Sequence, residues 1–351
     1  MESLIKNWNG ESVIIRFDRP SGAWIIIAIH STILGPAIGG TRMKFYPNFQ
    51  AALEDALQLA ASMTYKFAAA DFPSGGGKVV IALPSSFDIH ERPSLLRHLG
   101  TLLKQLGGIF QAGPDVGTSP ADMDIIAETG APYVFCRTPE KGGAGGSGKW
   151  TALGVFSGMQ AVCKQLFDNE SLRGRVVMVQ GTGSVGHPLI ELLLKDGAEV
   201  LFSEVNQTAI HHFRDKVKLP FIPPERVYDT PCDIFAPCAL GGILNRDTIS
   251  RLKCTAIVGA ANNQLAEPTD AVRLVKRNIL YAPDYIINIG GAMAIIGIER
   301  MGWSLDETRA KVNSIKQTML RVFRLAKEGH ITTDAAAKRI VDSRLSRTES
   351  R

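Results

Sequence analysis

The chain has 351 residues, of which 45% are hydrophobic and 21% charged, and its net charge is +5. This is ordinary globular usage, in a length suited to two domains or one large α/β unit. It contains no apolar run of about 18 residues that could cross a membrane, and MESLIKNWNGES has no basic-then-apolar leader pattern.

ESVIIRF and AWIIIAIH read as strands around the turn DRPSG. NFQAALEDALQLAASMTYKFAA has apolar residues at helical spacing, KVVIALP reads as a strand, and SLLRHLGTLLKQLGG as a helix ended by Gly107 and Gly108. The glycine-rich PEKGGAGGSGK, residues 139–149, reads as a hinge or loop. Beyond it strands and helices alternate: TALGVFSGMQAVCKQLF helical, RVVMVQ a strand, HPLIELLLKDG helical, AEVLFSEV a strand and TAIHHFRDKVK helical, with His211 and His212 expected to be exposed. CDIFAP, CTAIVGAA and NILYAPDYIIN are further short apolar runs, and the chain is helical from about Ser304, with a turn at EGHITTD. Alternating elements with apolar strands predict an α/β fold with a parallel sheet covered on both faces.

The basic residues are scattered, so no nucleic-acid surface is expected; the densest stretch, AAAKRIVDSRLSRTESR, reads as a solvated helix face and a frayed tail. Cys136, Cys163, Cys232, Cys238 and Cys254 form no CxxC pair and no histidines form HxxxH, so neither a disulfide framework nor a metal site is expected, and a reducing cytoplasm fits.

VVMVQGTGSVGHPLIELLL places Gly181, Gly183 and Gly186 in GxGxxG spacing between a strand and a helix. In that context the first glycine makes the turn, the second lets backbone approach a pyrophosphate, and the third lets helix pack on strand. The free N–H groups of the helix start then face the anion. Glu204 ends the next strand, where an acid hydrogen-bonds the ribose and repels a 2′-phosphate, so NAD is expected over NADP. Thr182, Ser184 and Asn206 read equally well as supporting polar groups and as turn residues.

Seven motifs occur in order: LGPAIGGTR (34–42), MTYK (63–66), GGGK (75–78), GPDVGT (113–118), DIFAPCALGGI (233–243), GAANNQ (259–264) and YAPDYIINIGG (281–291). Over roughly residues 10–346 the chain resembles the amino-acid dehydrogenases of the glutamate, leucine, phenylalanine and valine superfamily. That resemblance implies NAD-dependent oxidative deamination of an L-amino acid to a 2-oxo acid and ammonia. It makes Lys78 the group that activates water and Asp115 the proton relay, with Lys66 and the Gly40 backbone on the substrate carboxylate and Asn263, beside Asn262, holding the substrate. A lysine acts in this way near neutral pH when desolvation and a second ammonium lower its pKa. The glycines before Lys78 are read as letting backbone and substrate approach it. Val185, Val205, Ala239, Ala261 and Asn262 complete the expected cofactor site.

No extra cation appears in the pocket segments, so an apolar side chain is favoured over glutamate. Met63, Gly113, Pro114, Ala292 and Ile295 are the expected pocket wall. Gly113, Pro114 and Ala292 read as removing volume from it, which points to phenylalanine, while Ile289 could tilt the wall. The alternatives are tryptophan or leucine and valine, or a catalytically silent NAD-binding scaffold or sensor. The expected architecture is a substrate and oligomerisation domain, 1–135 plus a C-terminal helix at about 330–351, and a Rossmann-like NAD-binding domain, 145–325, with the active site in the cleft between them. The N-terminal strands need an edge partner, and a homo-oligomer, dimer to octamer, is implied.

Overall fold

The computed structural model describes residues 2–349. The chain folds as two units, one of residues up to 146 with 295–302 and 341 onward, the other of 147–294 with 303–340.

The first unit contains α1 (Glu2–Trp8), β1 (Ser12–Asp18), β2 (Ala23–Ser31), β3 (Ala37–Phe45), α2 (Phe49–Ala69), β4 (Gly75–Leu83), α3 (Arg92–Gln105), β5 (Phe110–Pro114) and α4 (Pro120–Gly130). Among the described residues its sheet runs β1-β2-β4-β3-β5, antiparallel from β1 to β4 and parallel from β4 to β5. β2 is apolar from Ala23 to Ile29, and both of its faces are covered. Ile25, Ile27 and Ile29 join Val79 and Ile81 in a core with Leu95, Leu99 and Ile126, and Ile26 and Ala28 join Val80 and Ala82 against Ala52, Ala56 and Ala60 of α2. β3 is a strand that the sequence reading missed, because Gly39 and Gly40 lower its strand signal. Neither is a defect in the sheet: a Cβ on Gly39 would lie 1.8 Å from the Gly77 carbonyl oxygen.

The second unit opens with α5 (Gly148–Phe167), then β6 (Val176–Gln180), α6 (Gly186–Asp196), β7 (Glu199–Ser203), α7 (Gln207–His211), β8 (Ile234–Pro237), α8 (Arg246–Arg251), β9 (Ala256–Ile257), α9 (Thr269–Lys276), β10 (Leu280–Tyr281) and α10 (Asp284–Ile287). α11 (Gly290–Met301), α12 (Leu305–Asn313), α13 (Ile315–Glu328) and α14 (Thr333–Glu349) follow, with α11 and α14 divided between the units. The expected tail falls partly on residues 350–351, outside those described.

The sheet is parallel throughout, in the order β10-β9-β8-β6-β7. The chain leaves β6 for β7 on one side and returns to β8 on the other, so a crevice opens at the carboxyl ends of β6 and β8. One expectation is corrected here. TAIHHFRDKVK is helical as expected, an α-helix to His211 continued by a π-helical turn over His212–Lys216, but His212 is half-buried, its ring centroid 5.4 Å from that of His187. YIIN, the end of the apolar run NILYAPDYIIN, falls on α10 and its C-cap Asn288, since Pro283 cannot donate to a ladder and a helix starts after it. Among the described residues, no helix is long and apolar enough to cross a membrane.

Candidate active site

Lys78 lies on central β4, opposite Ala28 of β2, and is 5% exposed. The glycines before it serve packing rather than openness: a Cβ on Gly76 would sit 2.0 Å from the backbone nitrogen of Thr64. The end of α2 therefore presses on the start of β4 and brings half-buried Met63 and Lys66 to that end of the strand. β3 and β5 run parallel with Gly40 opposite Gly113 and Thr41 opposite Pro114, which delivers Asp115 just past the end of β5.

Lys78 Nζ donates to Asp115 Oδ2 at 2.7 Å. Gly40 leaves room for this pair, since a Cβ there would come within 2.8 Å of Asp115 Cβ and 3.2 Å of Lys78 Nζ. The loop carrying Asp115 is fixed from both sides. Its N–H donates to Thr118 Oγ1 at 3.0 Å, Thr118 Oγ1 donates to the Thr41 carbonyl at 2.7 Å, and Arg92 Nη2 donates to the Gly117 carbonyl at 2.7 Å.

Sequence reading missed the second cation on Asp115. Arg42 Nε donates to the same Oδ2 at 2.9 Å, and Arg42 Nη1 donates to both oxygens of Asp55 at 3.1 Å. Tyr46 Oη donates to Asp55 Oδ2 at 2.5 Å. Arg42 was inside the quoted LGPAIGGTR motif, but nothing local in the sequence marks Asp55, on the next helix, as its partner.

Burial is the largest influence on Lys78 and lowers its pKa; Asp115 opposes it, Arg42 reinforces it, and the net direction is down. Burial raises Asp115, but Lys78 and Arg42 outweigh that and hold it down to about 2. The two groups titrate as a pair, so when Lys78 loses its proton Asp115 loses its strongest cationic partner and becomes the better base.

The expected wall residues lie in close packing. The space left by Gly113 is already filled, because a Cβ there would lie 2.8 Å from the ring of buried Phe135. Gly290 and Gly291 pack α11 on α5, where a Cβ on Gly291 would lie 2.3 Å from Thr151 Oγ1. Ile289 and Ile295 are core residues at 1% and 2% exposure, and Ala292 is half-buried.

In the second unit, Gly181 turns out of β6 with φ +93°, beside the Ala239 backbone. A Cβ on Gly186 would lie 1.9 Å from the Gly181 carbonyl oxygen, so only glycine lets α6 begin there. A Cβ on Gly183 would meet nothing within 4 Å, and Val185 offers no side-chain cap to α6. Bare backbone therefore faces open space at the start of α6, where the His187 N–H is taken by the Gly183 carbonyl at 3.1 Å and Pro188 has none, and this open glycine backbone fits a pyrophosphate.

Glu204 Oε2 accepts from Thr182 N at 2.7 Å and Thr182 Oγ1 at 2.9 Å, and Oε1 accepts from Val205 N at 2.7 Å and Asn206 N at 3.1 Å. Burial raises Glu204, and these backbone donors more than offset it, so the carboxylate stays ionised. Val205 is 78% exposed and Leu240, beside exposed Ala239, 73%, leaving apolar faces at the carboxyl ends of β7 and β8. Ser184 is exposed, Asn206 caps α7 by accepting from Ala209 N at 3.1 Å, and Ala261 is buried.

Asn262 and Asn263 lie exposed on the loop after β9. Asn263 has φ +52°, and its N–H donates to Asp284 Oδ2 at 2.8 Å, while Asn262 Oδ1 accepts from Asn288 Nδ2 at 3.0 Å. Asp284, within the quoted YAPD stretch, thus shapes this loop without having been singled out from the sequence.

Residues 17–131 match the family described as Glu/Leu/Phe/Val dehydrogenase, dimerisation domain, and residues 142–203 and 201–347 match Glutamate/Leucine/Phenylalanine/Valine dehydrogenase. The chain belongs to the Glu/Leu/Phe/Val dehydrogenase family. It is an amino-acid dehydrogenase, an oxidoreductase acting on a CH–NH2 group with NAD(P).

It is similar over nearly its whole length to named members of the family. A leucine dehydrogenase of Geobacillus stearothermophilus is 41% identical over 341 residues, 97% of this chain and 92% of the relative. A valine dehydrogenase of Streptomyces virginiae is 43% identical over 344 residues, 96% and 94% of the two. The L-tryptophan dehydrogenase structure from Nostoc punctiforme superposes with a TM-score of 0.84 at 35% identity, covering 100% of both chains. These relatives are leucine, valine and tryptophan dehydrogenases, so the expectation of phenylalanine lacks their support.

Proposed function

We propose that the chain oxidatively deaminates an aliphatic L-amino acid, leucine or valine, with NAD, and runs the reverse reductive amination. The observation that carries this reading is the buried Lys78–Asp115 pair at 2.7 Å. Leucine and valine are favoured over larger side chains because the Phe135 ring takes the space beside Gly113, and because leucine and valine enzymes stand among the relatives.

In this reading Lys66 and the Gly40 N–H take the substrate carboxylate. Asp115 accepts a proton from the substrate ammonium, freeing the lone pair that forms C=N as hydride leaves the α-carbon. A bound dinucleotide supplies the hydride acceptor. Neutral Lys78 then removes a proton from water as its oxygen adds to the iminium carbon, and Asp115 returns a proton to the departing nitrogen. Glu204 sets NAD over NADP by repelling a 2′-phosphate. The apolar edge strand β1 and the dimerisation-family match support a homo-oligomer, and the absence of paired cysteines supports a cytoplasmic setting.

The second reading, an L-tryptophan dehydrogenase, rests on the end-to-end structural match. A panel of L-leucine, L-valine, L-tryptophan, L-phenylalanine and L-glutamate, assayed for reduced nicotinamide with NAD and then NADP, separates the two. Leucine or valine leading with NAD is expected; tryptophan leading selects the second reading. Silence across the panel while NAD still binds removes both.

A further inference from the structure

One Asp115 oxygen is shared by two cations, and the proposed chemistry uses only Lys78. Arg42 keeps its charge throughout, because a guanidinium does not release its proton in proteins. It is therefore no link in a proton chain and acts through geometry and field. Its two arms are committed in opposite directions, Nε to Asp115 and Nη1 to both oxygens of Asp55. Both partners are largely withdrawn from solvent, Arg42 at 18% and Asp55 at 21% side-chain exposure, so their charges are weakly screened.

Asp55 is held in turn by the Tyr46 hydroxyl, and exposed Lys44 lies 3.8 Å from it. The result is an alternating row, Lys78, Asp115, Arg42, Asp55, built from four separate elements of one unit. We propose that Arg42 and Asp55 are positioning residues forming an electrostatic lever on the Lys78–Asp115 pair: Arg42 fixes the carboxylate and adds positive potential at Lys78, and Asp55 cancels part of that potential.

The groups around Lys78 are accounted for element by element. Asp115 approaches from the β5 loop, Arg42 from β3, and α2 carries Asp55 and Lys66. β2 places Ala28 opposite Lys78, and His30, farther along β2, is engaged with Thr64, Nδ1 to Oγ1 at 2.9 Å. Asp115 and Asp55 favour the charged lysine, and Arg42 together with burial favours the neutral one. The lever therefore predicts opposite consequences for two residues on the same bridge. A purely structural role for the bridge predicts the same consequence for both.

The test is an NMR titration of the Lys78 side chain in full-length protein labelled with 13Cε-lysine, in wild type, Arg42→Gln, Asp55→Asn and Arg42→Lys. Arg42→Gln removes a repelling cation, so Lys78 titrates at higher pH than in wild type. Asp55→Asn leaves Arg42 unbalanced, so Lys78 titrates at lower pH. Arg42→Lys restores the charge without the second arm and brings the titration back toward wild type.

The catalytic half rests on the proposed function and is read from kcat/KM for L-leucine. Below the Lys78 midpoint, Arg42→Gln is expected to lose about tenfold or more, the scale of one nearby charge, and raising the pH should recover part of it. Shifts in the same direction for Arg42→Gln and Asp55→Asn, or no shift in either, overturn the lever. If Asp55→Asn does not fold, Arg42→Gln against Arg42→Lys decides alone, and an unmoved Lys78 in both overturns it. The two failures are distinguishable: opposite shifts without turnover of any amino acid keep the lever and remove the functional reading, while leucine turnover without shifts does the reverse.

Discussion

Asp115 and Phe135 show how much one residue can decide. Asp115 would be a common turn aspartate in GPDVGT were its Oδ2 not held by two cations, and that is fixed by residues 37 and 73 positions away. The lysine motif was legible because GGGK and PDVGT stand in order along the chain. Arg42 was not, since its meaning comes from partners on other elements. Phe135 bears on the pocket argument in the same way: a glycine in the sequence looks like removed volume, and only packing shows a ring beside it. Phe135→Ala should therefore open the wall and raise kcat/KM for L-phenylalanine relative to L-leucine by about tenfold, within the range of about 1–3 kcal/mol that a changed hydrophobic contact supplies. Steady-state rates on both substrates check it; an unchanged ratio places the ring away from the substrate.

At the scale of elements, the strand–loop–helix from β6 to α6 depends on contacts too close for any side chain. Gly186→Ala would place a methyl 1.9 Å from the Gly181 carbonyl oxygen, which is backbone and cannot swing aside. The start of α6 must shift, and we expect loss of NADH binding, seen as lost fluorescence enhancement, with destabilisation of roughly 1–3 kcal/mol in urea unfolding. Retained binding would mean that the loop does not carry the dinucleotide. This unit was legible because its apolar strands and glycine spacing are local signals. β3 was not, because Gly39 is required by β4 and Gly40 by the end of β5 and the Lys78–Asp115 pair, rather than by β3 itself. α10 was not assigned from sequence because an apolar YII has no period long enough to separate strand from helix, and Pro283 settles it.

For the molecule as a whole, two units with different sheets carry different chemistry. The first, mixed sheet buries an ion row at the Lys78 position, and the second, parallel sheet presents a bare backbone loop and the Glu204 carboxylate. The order of motifs made the family and the two-unit organisation readable from sequence. Side-chain preference was not, because whether a glycine such as Gly113 leaves space depends on what packs against it, here the Phe135 ring.

The most direct test of the central claim is kcat/KM for L-leucine deamination as a function of pH. Burial and Arg42 lower the Lys78 pKa, so the neutral lysine, and with it the rate, rises with pH and levels off below the ordinary lysine value of 10.5. A profile that keeps climbing to that value, or that shows no lysine-dependent rise, would contradict the role given to Lys78.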